Sequence, residues 1–122
     1  MSRHNQSFGQ RGEELAAEKL KSEGYELIAR NFHTPFGEID LIFRAPSGEY
    51  VFMEVKTRSS GSRGDPEEAI TFNKLSRMAQ CAEFWTETCG DKSAFSRLDM
   101  MAIRYTKDKQ TVLDVKWYQD VG

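Results

Sequence analysis

The sequence has few cysteines and no long apolar run. Cys81 and Cys89 lie eight residues apart in one predicted helix, and they form neither a CxxC pair nor a zinc-ligand spacing. We therefore expect two reduced cysteines that serve only in packing. No segment approaches the roughly 20 apolar residues that span a bilayer, and the opening stretch, MSRHNQSFGQRGEE, has no apolar run of signal-peptide length. These absences predict a cytoplasmic protein with no membrane contact.

An excess of positive charge is also missing. Lysine and arginine number 17 against 19 aspartates and glutamates, so the formal net charge is −2. This balance lacks the basic signature that is typical of nucleic-acid-binding proteins. A cluster of carboxylates that holds a cation would lower the net charge without repelling phosphate once the cation is bound. The net charge therefore does not settle whether the protein binds nucleic acid, and the local arrangement of charge must decide.

The composition is that of one globular domain. The 122 residues are 39% hydrophobic and 30% charged, and they contain no internal repeat or low-complexity tract. A chain of this length buries roughly two-thirds of its unfolded surface, enough for one real core. We therefore treat residues 1–122 as a single domain.

Hydrophobic periodicity predicts a helix, three strands, a second helix and two further strands. The second helix has two candidate starts, because Asp65 and Pro66 fit an N-cap and first-turn proline while Thr71 offers a second cap. The apolar hairpin and two amphipathic helices predict an α/β sandwich around a mixed sheet of about five strands. The predicted segments are helices 8–23 and 65–87 and strands 25–32, 37–44, 51–58, 95–105 and 111–119.

The segment GEIDLIFRAPSGEYVFMEVKTR, residues 37–58, places charged residues in two strands that are otherwise apolar. A turn centred on Ser47 would pair residues whose numbers sum to 94. One face would then be apolar, with Ile39 opposite Val55. The other face would bring Asp40 opposite Glu54 and Glu38 opposite Lys56, with Cβ atoms roughly 5 Å apart. A slip of one residue would bury these charges in the core, so the pattern strongly specifies this register.

Two readings of the charged face remain open. Asp40 and Glu54 would repel each other as bare anions unless a cation such as Lys56 or a divalent metal compensates them. Two carboxylates with water and a substrate phosphate form the oxygen environment that Mg²⁺ prefers. Alternatively, the same residues form a solvated hairpin face with cross-strand ion pairs. Phe52 and Ile42 are interleaved on this face, which favours a covered, functional face.

Four sequence blocks closely resemble the YraN-like family of small bacterial proteins. They are GEELAAEKL, GEIDLI, VFMEVKTR and RLDMMAI, and they occur in order between Phe8 and Tyr105. This family looks like a branch of the restriction-endonuclease-like PD-(D/E)XK nucleases, which include archaeal Holliday junction resolvases. The resemblance implies a restriction-endonuclease-like α/β/α sandwich. It also implies that Asp40 and Glu54 bind Mg²⁺ or Mn²⁺, that Lys56 is the motif lysine, and that Glu13 is a first-helix acid of the site.

Helix geometry separates Glu13 from its neighbour Glu14. Positions 13, 16, 17 and 20 share one face, and the last three are alanine, alanine and leucine. Glu13 is therefore expected to point inward and Glu14 outward. The roles of Glu38, His33 and Asp99 stay open, since Asp99 could be buried against Arg97 or serve as an outer acid of the site.

Basic residues follow the carboxylates along the loop and the second helix, and they are candidates for contacts with backbone phosphate. Three functions are compatible with the sequence. The leading one is a metal-dependent endonuclease that acts on nucleic acid, with DNA favoured and branched or repair intermediates possible. The others are a non-catalytic DNA-binding module and a protein-interaction subunit; the resolvase-like resemblance also suggests a homodimer. The candidate phosphate contacts are Arg58, Arg63, Lys74 and Arg77.

Overall fold

The computed structural model describes residues 6–61, 68 and 70–122. Its seven elements follow the predicted order of helix, three strands, helix and two strands. No helix among these described residues is long and apolar enough to cross a membrane. The elements are α1 (Phe8–Ser22), β1 (Glu26–Thr34), β2 (Gly37–Arg44), β3 (Tyr50–Ser59), α2 (Phe72–Cys89), β4 (Ser96–Tyr105) and β5 (Val112–Tyr118).

The five strands form one mixed sheet with the spatial order β1-β2-β3-β4-β5. Strands β3 and β4 are parallel, and the other three neighbouring pairs are antiparallel. A parallel pair needs a long crossover connection, and α2 supplies it here. The predicted mixed sheet of about five strands flanked by helices is confirmed.

Each helix covers a different face of the sheet, because alternate strand residues pack against different helices. Leu41, Phe43, Val51 and Met53 belong to the cluster that contains α1 residues such as Leu20. The second cluster joins α2 to the intervening strand residues, including Ile42, Phe52 and Trp85. The strand alternation of period two therefore builds both cores.

The second of the two predicted helix starts is the one observed. Thr71 is the N-cap of α2, and its hydroxyl oxygen accepts a hydrogen bond of 3.1 Å from the backbone N–H of Lys74. The alternative start at Asp65 and Pro66 falls outside the described residues. Of the two cysteines, Cys81 is buried as expected, whereas Cys89 is exposed and has no packing role.

The predicted hairpin register is correct at its closed end and wrong at its open end. The β2–β3 pairs run from Arg44–Tyr50 to Leu41–Met53, and every pair sums to 94. Ile39 should have joined Leu41 and Val55 beneath α1, but it packs beneath α2 with Ile42. The reason lies in β1, where Asn31 has a φ of 47° between the Arg30–Leu41 and Phe32–Ile39 pairs. This left-handed residue interrupts the alternation of both strands.

Candidate functional site

Asp40 lies just beyond the last pair of the β2–β3 ladder. Its Oδ2 atom accepts a hydrogen bond of 2.8 Å from the backbone N–H of Val55, which fixes the carboxylate between the two strands. Burial raises the pKa of Asp40 to about 7. The Val55 N–H opposes this shift, and the charges of Glu54, Glu13 and Glu38 add to it. Asp40 is therefore the centre of a group of four acids.

Glu13 reaches this group from α1. Its side chain hydrogen-bonds Asn31, and burial raises its pKa, with Glu38 adding to the shift and Asn31 and Arg30 opposing it. Glu14 points elsewhere and pairs with Arg30 at 3.1 Å while 43% of its side chain stays exposed. The helix thus directs Glu13 and not Glu14 toward Asp40, as the face analysis predicts.

The position of Glu13 depends on how closely α1 approaches β3. The neighbouring Gly12 is buried, and a Cβ atom there would lie 2.2 Å from the hydroxyl oxygen of Thr57. Only a residue without a side chain fits at this contact. Gly12 therefore allows the helix to lie directly on the strand that carries Glu54.

Glu54 is nearly buried, with 16% of its side chain exposed, and it forms an ion pair with the Nζ atom of Lys74. The sequence suggested Lys74 as a phosphate contact on α2. The structure instead brings this lysine into the acid group, where it neutralises one carboxylate. Such a pair compensates for the cost of burying two charges only when the geometry is good.

Glu38 and Lys56 do not form the predicted cross-strand pair. Glu38 lies beyond the β2–β3 ladder and is paired with His33 of β1, and the His33 Nε2 atom is 3.3 Å from a Glu38 oxygen. This contact gives His33, which the sequence left open, a place beside the acid group. Lys56 is half-buried on β3, and its ammonium group has no hydrogen bond or ion pair within the described part of the chain.

The remaining basic candidates differ in their surroundings. Arg58 is half-buried, and its Nε atom is buried without a partner. Arg77 is exposed on α2 and lies over the β1–β2 turn, since a Cβ at Gly37 would be 3.0 Å from its Cδ atom. Arg63 is outside the described residues.

Asp99 belongs to a separate, structural network on the α1 side of the sheet. It is fully buried and accepts hydrogen bonds from Arg97, from the Trp117 indole at 2.8 Å and from the Asp120 N–H at 2.9 Å. Arg97 also binds Glu49 and the Tyr25 hydroxyl. Of the two alternatives for Asp99, burial against Arg97 is therefore the observed one.

The donor atoms of the acid group suit a hard divalent cation. Asp40 and Glu54 offer carboxylate oxygens, and the His33 imidazole beside the group is paired with Glu38. Oxygen ligands favour Mg²⁺ or Mn²⁺ over zinc. Among the described residues, no group of three or more histidine, cysteine, aspartate or glutamate side chains is arranged to hold a metal ion. Two carboxylates alone could hold such an ion only if water or another oxygen ligand completed its shell.

Besides the Glu38–His33 contact, two features of the site were not anticipated from the sequence. The first is the left-handed backbone of Asn31. Asparagine is rare inside strands and tolerates a positive φ, so its presence in the middle of a predicted strand could have indicated an irregularity there. The second is the partner of Glu54, for which a hairpin pattern gives no signal because Lys74 comes from another element. Two cavities of about 480 and 530 Å³ lie where β4 begins, and no candidate residue lines either of them.

Comparison with known proteins places the chain in a family. The model of the uncharacterised protein family UPF0102 matches residues 12–103. A UPF0102 protein of Corynebacterium diphtheriae is 40% identical over 97% of this chain and 93% of its own length. One from Desulfitobacterium hafniense is 37% identical over 99% of this chain and 100% of its own.

One solved structure is more distantly similar. A chain of an EndoMS–dsDNA complex aligns with 70% of this chain at 19% identity and a TM-score of 0.42, and the aligned part is 32% of that longer chain. The family assignment rests on the match to the family model and on the relatives that align over nearly their full length. The chain belongs to the uncharacterised protein family UPF0102, the YraN-like family that its sequence blocks predict.

Proposed function

We propose that this protein is a divalent-metal-dependent endonuclease that hydrolyses phosphodiester bonds of nucleic acid, with DNA as the favoured substrate. The observation that carries the proposal is the convergence of acids from three elements. The charges of Glu13 of α1 and Glu54 of β3 both act on Asp40 of β2, and the half-buried Lys56 lies two residues beyond Glu54 on β3. A hairpin face with only a structural role has no need to gather carboxylates at a covered position.

Asp40 and Glu54 would hold Mg²⁺ or Mn²⁺. When bound, such a cation polarises a phosphoryl oxygen and lowers the pKa of a coordinated water. The Val55 N–H keeps the Asp40 carboxylate in a fixed orientation. Glu54 would exchange Lys74 for the cation, and the released Nζ atom would then be available to a backbone phosphate.

Lys56 supplies the remaining chemistry. It lies two residues beyond Glu54, so both side chains project from the same face of β3. Its ammonium group can orient the attacking water and donate to the phosphate oxygens as negative charge develops on them. Glu13 would position water on the other side of Asp40. Branched DNA or repair intermediates as substrates, and a homodimer as the assembly, remain predictions from the family resemblance.

A non-catalytic DNA-binding module is the second candidate. The ion pair between Glu54 and Lys74 favours it, because this pair already compensates one carboxylate without a metal. In that case Asp40, with its pKa of about 7, would be only partly ionised near neutral pH, and the acid group would serve only to fix the hairpin.

Cleavage assays separate the two candidates. Purified protein is incubated with Mn²⁺ and labelled linear, nicked and four-way-junction DNA, alongside Lys56→Met and an EDTA control. We expect Mn²⁺-dependent cleavage of at least one substrate, and we expect Lys56→Met to abolish it while the thermal midpoint and most DNA affinity are retained. If Lys56 has only a structural role, the variant costs at most about 1 kcal/mol and cleaves at the wild-type rate.

A further inference from the structure

Three cations lie on the neighbouring strands β3, β4 and β5, within two register positions of Lys56. Arg58 of β3 is in register with Arg104 of β4, and Arg104 in turn is in register with Asp114 of β5. Two residues closer to Glu54 along the strands, Ala102 of β4 is in register with Lys56 of β3 and with Lys116 of β5. We call Arg58, Arg104 and Lys116 the sheet cations.

The packing of neighbouring residues shows that these side chains share one face. Val55, Met101, Ile103, Val115 and Trp117 pack into the cluster beneath α1. Because strand side chains alternate between faces, the residues between them project on the opposite side of the sheet. That is also the side on which Glu54 meets Lys74 of α2. The sheet cations therefore lie on the same face as Glu54 and Lys56.

This part of the face is accessible and only partly neutralised. Lys116 is exposed, and the Arg104 side chain is 30% exposed. Asp114 compensates Arg104 from 3.8 Å, whereas Arg58 has a buried Nε atom without a partner. Among the described residues, three cations against one acid make this surface positive although the whole chain has a net charge of −2. Adjacent cations of this kind repel each other unless an anion lies between them.

We propose that a nucleic-acid strand crosses these three β-strands as it leaves the acid group, and that Arg104 and Lys116 each contact a backbone phosphate. Neighbouring strands of a sheet are about 4.8 Å apart, so the row from β3 to β5 spans roughly 10 Å. A nucleic-acid strand rises about 3.4 Å per nucleotide, so the surface accommodates about three nucleotides. The inference rests on the proposed function, because the acid group defines where the strand begins.

A structural role for Lys116 is the competing explanation. It lies on β5, an edge strand, and lysines on edge strands discourage pairing with other chains. This role predicts no effect of Lys116 on DNA affinity beyond the change in net charge. A test must therefore compare variants that carry the same charge change at different places.

The experiment measures the salt dependence of DNA binding in EDTA, so that cleavage does not interfere. A fluorescently labelled oligonucleotide, single- or double-stranded, is titrated between 50 and 200 mM KCl, a range of about fourfold chosen to define the slope. The test variant is Arg104→Gln with Lys116→Gln. The matched control is Lys21→Gln with Lys92→Gln, which also removes two positive charges but from exposed positions outside the surface. Lys116→Gln alone is included in case the change at Arg104 impairs folding.

We expect the slope of log affinity against log salt to fall by about 1.4 to 1.8 in the test variant, since each phosphate contact contributes about 0.7 to 0.9. Lys116→Gln alone should lose half of that amount, and the control should keep the wild-type slope. Equal slopes in all variants, or no binding by the wild type, would overturn the proposal. A reduced slope without any Mn²⁺-dependent cleavage would support this surface and refute the nuclease function, so the two failures are distinguishable.

Discussion

At the scale of single residues, Asp40 is the side chain with the clearest electrostatic cost. Burial and three neighbouring acids raise its pKa from 3.8 to about 7. The folded protein therefore binds a proton at Asp40 more tightly than the unfolded chain does. The contribution of this proton to the free energy of unfolding is fully present below about pH 4 and is lost as the pH rises through 7.

We expect the metal-free protein to lose stability between pH 5 and pH 8, and Asp40→Asn to lose much less. Each unit of pKa shift corresponds to about 1.4 kcal/mol, so the difference should be on the order of a few kcal/mol at pH 8. Glu13, whose pKa is also raised, leaves a residual decline in the variant. Urea unfolding in EDTA at both pH values measures the effect. An equal loss in both proteins would show that Asp40 is not the responsible group.

Glu13 and Glu14 provide a matched pair of variants. Glu13→Gln removes an acid whose charge acts on Asp40, whereas Glu14→Gln removes one that pairs with Arg30 and is 43% exposed. If the nuclease function holds, Glu13→Gln should lower the cleavage rate at least about a hundredfold, the lower end of the range for a general acid–base group. Glu14→Gln should stay within about 0.5 kcal/mol of wild-type stability and keep its rate. Equal cleavage by both variants would remove Glu13 from the site.

The residues of the site were predictable only where the alternation of the strands is regular. The pairs near the hairpin turn keep the predicted register, so Leu41 and Met53 lie where the pattern places them. Ile39 and Glu38 do not, because the left-handed Asn31 in the neighbouring strand changes the alternation there. A pattern within β2 and β3 carries no information about β1, and this is why the Glu38–His33 contact was missed.

At the scale of elements, the contact between α1 and β3 decides where Glu13 lies. A methyl group on Gly12 would collide with the Thr57 hydroxyl. We expect Gly12→Ala to cost about 1 to 3 kcal/mol through overpacking, and to lower any cleavage activity because α1 moves away from Asp40. Removing the obstacle in the double variant Gly12→Ala with Thr57→Ala should recover part of both losses.

Gly9→Ala is the control for this prediction. It makes the same change in the same helix, but no atom lies within 4 Å of the added Cβ. We expect it to be neutral or to stabilise the helix by up to about 1 kcal/mol. Thermal unfolding of the three variants measures these effects. If Gly12→Ala behaves as Gly9→Ala does, the close approach of α1 to β3 does not position Glu13.

At the scale of the whole molecule, the fold was more predictable than the site. Each element is amphipathic with a period that identifies it, and two helices with one apolar face each require a sheet with two apolar faces. The order of the strands and the parallel β3–β4 pair follow from contacts between distant segments, which no local pattern encodes. The same limit applies to the ion pair between Glu54 and Lys74 and to the sheet cations, which come from different strands.

The central claim is that Asp40 and Glu54 hold a divalent cation. Titration calorimetry with Mn²⁺ at pH 8 on the wild type, on Asp40→Asn and on Glu18→Gln tests it most directly, because Glu18 is an exposed acid of α1 outside the site. We predict a site in the wild type and in Glu18→Gln that Asp40→Asn lacks, and a phosphate-containing oligonucleotide should strengthen it. Equal Mn²⁺ binding by all three proteins would contradict the claim.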